Sequence, residues 1–138
     1  MELRWIREDT PVWDAPKAAI VGGAPEGAIE PPRVGVGELV PGEWFRVEAD
    51  GTPVGYGWMD CTWGDAAVTL AVDRGRQGEG IGAYILSHLE REAAARGVNY
   101  LYNAVRNVHP DRLRVTRWLE ARGFQPSGDG LQKKRVTR

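Results

Sequence analysis

The stretch that decides the fold is AVDRGRQGEGIG, Ala71 to Gly82. An apolar run enters it, glycines stand at alternate positions 78, 80 and 82, and a helical pattern begins at once. Upstream, AAVTLAV (Ala66 to Val72) is almost continuously apolar, which predicts a strand buried on both faces. Downstream, Ile81, Ile85, Leu86, Leu89 and Ala93 recur at helical spacing and Gly97 supplies a stop. Glycines between strand and helix let backbone N–H groups turn toward a ligand without a Cβ in the way. The positive end of the helix dipole points at the same spot, so strand, loop and helix together predict an anion site suited to phosphate. The two commonest phosphate loops are excluded, because neither G-x-x-x-x-G-K-[ST] nor G-x-G-x-x-G occurs.

Working outward, NYLYNAV (Asn99 to Val105) predicts a further strand. HPDRLRVTRWLEARG predicts a helix, with Pro110 at a first helical position, Asp111 in the first turn, Arg122 in the last and Gly123 beyond it. FQPSGDGLQKKRV closes the chain as a hairpin around Gly128, Asp129 and Gly130. Toward the N-terminus, EWFRVEADGTPVGYGWMD predicts a hairpin turning at Asp50-Gly51, and ELRWIR (Glu2 to Arg7) a short strand. Residues 10–42 hold most of the prolines, and only WDAPKAAIV can form a brief helix there. Long irregular segments in compact domains are usually functional or mobile.

Bulk properties narrow the function. A chain of 138 residues predicts a single domain over 1–138 with a real core. A net charge of −1 gives no case for nucleic acid or a membrane surface as partner. No apolar run approaches the ~20 residues of a membrane span. The start is charged rather than leader-like, and the single cysteine, Cys61, cannot form an internal disulfide. These features predict a cytoplasmic protein. Two histidines and one cysteine predict no metal cluster.

Gln77-Gly78-Glu79-Gly80-Ile81-Gly82 matches Q/R-x-x-G-x-G/A, and in this the chain resembles the GNAT superfamily of acetyl-CoA-dependent N-acetyltransferases. The five-residue step from Val72 to Gln77 also fits that family, although Arg74 stands where proline is usual. WLEARGF (Trp118 to Phe124) is similar to its lYeklGF ending, and the likeness covers roughly residues 43–127. It implies an α/β fold: a mixed, mostly antiparallel sheet, helices on both faces, and a central strand pair that splays where acetyl-CoA (coenzyme A) enters. It implies transfer of an acetyl or short acyl group to an amine-bearing acceptor, and leaves room for a homodimer.

Site residues follow from the same resemblance. Backbone groups of Leu70 and Val72 would pair with the pantetheine arm, and an amide beside them would polarise the thioester carbonyl. Gln77, Gly78, Glu79, Gly80, Ile81, Gly82 and Ala83 would hold the pyrophosphate, with Arg74 and Arg76 alongside. Aminolysis needs a base or a water chain to take the amine's proton, and Asp65 and Asp60 are the candidates; with Trp58 and Trp63 near them they would also attract a cationic amine. The family's tyrosine acid falls at Leu119, which donates no proton. Tyr84, Tyr100, Tyr102 and His109 remain as substitutes, Tyr102 being the one assigned to the site. The family asparagine falls at Arg112; Asn107 sits five residues earlier, and the NVHPD insertion could bring it or His109 toward the cofactor arm. The missing tyrosine sustains a second reading, a catalytically weak acyl-CoA-binding module. A third is an interaction domain that binds no cofactor.

Overall fold

The computed structural model describes residues 2–105, 109–128 and 131–137. Its strands are β1 (Leu3–Arg7), β2 (Glu43–Ala49), β3 (Thr52–Thr62), β4 (Asp65–Val72), β5 (Tyr100–Asn103), β6 (Gln125–Pro126) and β7 (Gln132–Arg135). Helices are α1 (Ala15–Ile20), α2 (Ile81–Ala95) and α3 (Arg112–Glu120). The strands form one seven-stranded sheet in the order β1-β2-β3-β4-β5-β7-β6. Every neighbouring pair is antiparallel except β4 and β5. This is the mixed, mostly antiparallel α/β sheet that the sequence predicts.

Local chemistry sets the turns. Asp50 and Gly51 both take positive φ, as do Trp63 and Gly64, so two tight turns carry β2 into β3 and β3 into β4. Alternation then divides the side chains between two faces. Phe45, Val47, Met59, Ala66, Val68 and Leu101 face α2 and α3, where Ile85, Leu89 and Leu119 complete the main core. Gly57 permits the close approach of α2, because a Cβ there would lie 2.5 Å from Ile85 Cγ2. Phe45 also stacks on Trp5 at 4.8 Å.

The opposite face is built differently. Trp44, Tyr56 and Ala71 pack with Ile20, Val21 and Val40, joining α1 and the irregular segment to the sheet. Lys17 on α1 is fully buried there. Its Nζ lies 2.6 Å from Glu8 and 3.3 Å from Asp14, over the rings of Trp44 and Tyr56. Glu8 also receives Arg46 at 2.6 Å, and Arg46 reaches Glu48 at 2.8 Å. Burial, reinforced by Asp14 and Glu8, pushes the Tyr56 hydroxyl far above its usual range, so it stays neutral.

Three expectations are corrected. β5 ends at Asn103 rather than Val105, because Asn103 is the last residue to pair with β7. α3 begins at Arg112, two residues after Pro110, since His109 Nδ1 accepts the Asp111 N–H at 2.9 Å and holds the approach outside the helix. β4 is buried on both faces only in part: Ala66, Val68 and Ala71 are buried, whereas Ala67, Thr69, Leu70 and Val72, which border the cleft, are partly exposed. The tip of the last hairpin, Asp129 and Gly130, lies outside the described residues.

Candidate active site

β4 and β5 pair over only three positions, Asp65–Tyr100, Ala66–Leu101 and Ala67–Tyr102. Beyond them the strands part. Asn103 Nδ2 donates to the Val68 carbonyl at 2.7 Å, replacing the next ladder bond with a side-chain wedge. From there to Val72, β4 keeps β3 on one side, with Leu70 opposite Gly57 and Val72 opposite Gly55, and borders a cleft on the other. The cleft has a volume of about 760 Å3, the size of a small-ligand site.

The glycine loop closes one end. Asp73 turns the chain, its carboxylate accepting the Gly75 N–H at 3.2 Å and its carbonyl the Arg76 N–H at 2.9 Å. Gly78 and Gly80 then take φ of +81° and +83°, and a Cβ on either would meet nothing within 4 Å. Within the protein these glycines are therefore required by backbone sign, not by crowding. Gly80 caps α2 without a side chain, so the first N–H groups of the helix have no intrahelical partner and remain available to an anion. Gly82 faces Trp118 of α3, whose ring is 3.5 Å from an added Cβ.

The predicted site residues divide into two groups. Leu70, Val72, Arg76, Gln77, Gly78, Gly80, Ile81, Gly82, Ala83 and Tyr102 line the cleft together. Arg74, Glu79, Asp60 and Asp65 do not. Arg74 is exposed beyond the loop, and Glu79 is turned to Arg76 at 3.1 Å. Asp60 and Asp65 lie at the far end of the β3–β4 hairpin, and Asp60 packs against Gly42. Trp63, at the same hairpin tip, is 99% exposed. Tyr84 is remote: its hydroxyl donates to the Leu3 carbonyl at 3.4 Å, its ring stacks on His88, and burial raises its pKa. His109 lines the cleft, whereas Asn107 lies outside the described residues.

Several cleft residues escaped the sequence reading. Trp58 was singled out only as a neighbour of Asp60; its ring lies flat on Trp44, with centroids 4.2 Å apart and planes 5° apart. Glu30, in the irregular segment, is a wall carboxylate, and Asp111 is another, already paired with Arg114 at 3.0 Å. Arg122 stacks on Trp118, its guanidinium 4.1 Å from the ring centroid. Only the positive charges near the loop had a signal, the Arg-x-Arg before Gln77.

A sheet opened between two parallel strands, above a helix start stripped of side chains, defines a binder of an extended ligand that carries phosphate. The chain belongs to the GNAT acetyltransferase family, whose Acetyltransferase (GNAT) domain matches residues 41–126. Among solved structures it is similar to the ribosomal-protein-S18-alanine N-acetyltransferase from Escherichia coli, at 23% identity and a TM-score of 0.58, covering 69% of each chain. N-acetylglutamate synthase from Neisseria gonorrhoeae, complexed with coenzyme A and L-arginine, is similar at 20% identity and a TM-score of 0.60, over 69% of this chain and 25% of that one. The PaiA N-acetyltransferase from Thermoplasma acidophilum, in complex with coenzyme A, is similar at 18% identity and 0.57, over 67% and 59%. No curated protein sequence matches. Among the described residues, no helix is long and apolar enough to cross a membrane.

Proposed function

We propose that the protein transfers an acetyl or short acyl group from acetyl-CoA to a primary amine by direct aminolysis of the thioester. The observation that carries this is the parting of β4 and β5 immediately beside the open N-terminus of α2. The residues present fit coenzyme A: free β4 backbone for an amide-bearing arm, and an uncapped helix start flanked by Arg76 for a pyrophosphate.

When bound, acetyl-CoA supplies the acyl carbon and a thiolate leaving group. The β4 backbone around Leu70 and Val72 would hold the arm as an added strand, and a nearby amide N–H would polarise the carbonyl. The amine nitrogen bonds to the acyl carbon as the C–S bond breaks; one proton leaves nitrogen and one reaches sulfur. An alkylamine near pKa ~10.4 arrives mostly protonated, so the site must also take up a proton. We assign the ammonium to Glu30, a wall carboxylate of the cleft, and to Asp60 and Asp65, which do not line it, at most the effect of more distant negative charge. We assign to Tyr102, which lines the cleft at the last paired position before the strands part, the role of handing a proton to sulfur directly or through water.

Leu119 favours a second reading. At the position of the family's tyrosine the wall is apolar and only 4% exposed, as suits a binding module with little turnover. Thiol release followed against a panel of amines separates the two. Saturable release that needs amine supports transfer; tight acetyl-CoA binding without release supports the module.

A further inference from the structure

The face of the cleft turned toward α1 has a composition that selects among amines. Its floor is Ala67, Thr69 and Ala71 of β4, small side chains that leave room above the strand. Trp58 pairs across the sheet with Thr69, and Tyr102 with Ala67, so both rings rise from the same face and flank that floor. One side of the Trp58 indole is covered by Trp44, which holds it rigidly and leaves the ring as a cleft wall. Pro25, Ala28 and Ile29 cover the opening with apolar surface. Glu30 stands at the rim with its side chain 68% exposed, and Arg33 lies 3.9 Å from its carboxylate.

The charges are as informative as the walls. Arg76, Arg114 and Arg122 line the cleft, but they come from the glycine loop, α3 and the turn that follows α3. Among the described residues no lysine or arginine lines the α1-side wall, and Arg33 is 92% exposed beside it. An amino acid entering here would bring its carboxylate into apolar walls next to Glu30, where the nearby Arg33 is solvent-exposed and already paired with that carboxylate. A polyamine would bring several ammonium groups to a wall offering one carboxylate. A flat or chain-like body with one ammonium meets every feature.

We propose that the acceptor is a primary monoamine on an aromatic or aliphatic body, its ammonium received by Glu30 and its body packed on Trp58. This rests on the amine-transfer reading above. Trp58 and Glu30 are then the specificity-determining residues, the indole through area and cation–π attraction and the carboxylate through charge.

Two readouts test it. In the first, 2-phenylethylamine, phenylalanine, spermidine and a short peptide with a free N-terminus compete as acceptors. Phenylethylamine and phenylalanine differ only by the carboxylate, and phenylethylamine should lead by about tenfold or more in kcat/KM. In the second, 2-phenylethylamine is titrated calorimetrically into the protein–coenzyme A complex, where no chemistry occurs. Glu30→Gln and Trp58→Leu should each weaken that binding by about tenfold, with acetyl-CoA affinity kept within about twofold. Glu30 is exposed in a loop, so its variant tests the idea even if Trp58→Leu loosens the Trp44 stack. Preference for phenylalanine, spermidine or the peptide, with brisk thiol release, overturns this assignment and leaves amine transfer standing. Tight acetyl-CoA binding with no release from any amine overturns both.

Discussion

Two regions of this molecule are held by different physics. Residues 43–126 close around an apolar core in which Phe45, Met59, Ile85, Leu89 and Leu101 are fully buried. Residues 8–42 contribute one short helix and are fixed to the other sheet face by a small apolar cluster of Ile20, Val21 and Val40 on Trp44 and Tyr56, joined by the buried Lys17 over both rings and the Glu8–Arg46 ion pair. The first region carries the proposed cofactor strand and loop, the second the cover and rim of the acceptor side. A transferase with a common cofactor and a variable acceptor can keep the former constant and rebuild the latter.

The largest effect should come from Lys17. Lys17→Ala leaves Glu8 and Asp14 without their ammonium and opens a space against Trp44, which should lower stability by about 3–5 kcal/mol. Chemical denaturation reads that loss. If the regions are energetically separate, acetyl-CoA affinity measured at low temperature stays within about twofold of wild type, and a parallel collapse in affinity breaks the comparison.

Gly80→Val comes next. Its positive φ is poorly tolerated by a β-branched residue, and the side chain would stand in the anion's path. Acetyl-CoA binding should weaken by about tenfold or more, equivalent to ~1.4 kcal/mol, with secondary structure kept. Unchanged affinity in a folded variant would remove the loop from the site.

Leu119→Tyr sharpens the comparison from the catalytic side. The position is buried against the core, and a larger side chain in a packed site costs about 1–3 kcal/mol. Turnover should therefore stay level or fall. A large rate increase would mean that the geometry for a phenolic acid is intact and only the hydroxyl is missing. Tyr102→Phe is the companion test: a fall of about a hundredfold in kcat with acetyl-CoA affinity kept assigns Tyr102 as the proton donor. The smallest effect belongs to Asp60→Asn and Asp65→Asn. Both acids lie off the cleft, so the amine KM should shift by no more than about twofold, the scale of screened surface charge. A tenfold rise would return them to the acceptor site.

What could be read in advance follows the same division. α2 was legible because Ile81, Ile85, Leu86, Leu89 and Ala93 are periodic and their core is local to one helix face. β4 was legible from its apolar run and the loop from its glycines; Arg74 and Glu79 do not line the cleft, but the strand and loop that border it were readable in advance. The acceptor side was not. Nothing in WDAPKAAIV distinguishes a buried lysine from a solvated one, because burial depends on Glu8 and Trp44 arriving from elsewhere in the chain. Glu30 reaches the cleft through a segment without periodicity. Asp60 and Asp65 looked plausible as acids close in sequence to Trp58 and Trp63 at the start of the central strand. They sit at its wrong end, since the strands part beyond Val68 and the hairpin tip lies before Ala66.

The central claim is that β4 beyond Val68 and the start of α2 together hold acetyl-CoA. Backbone amide NMR during an acetyl-CoA titration tests it directly. Amides of Leu70 to Val72 and Gly78 to Ala83 should shift saturably together, while those of α1 and β1 stay in place. Shifts confined to other elements, or none at millimolar ligand, would contradict the account.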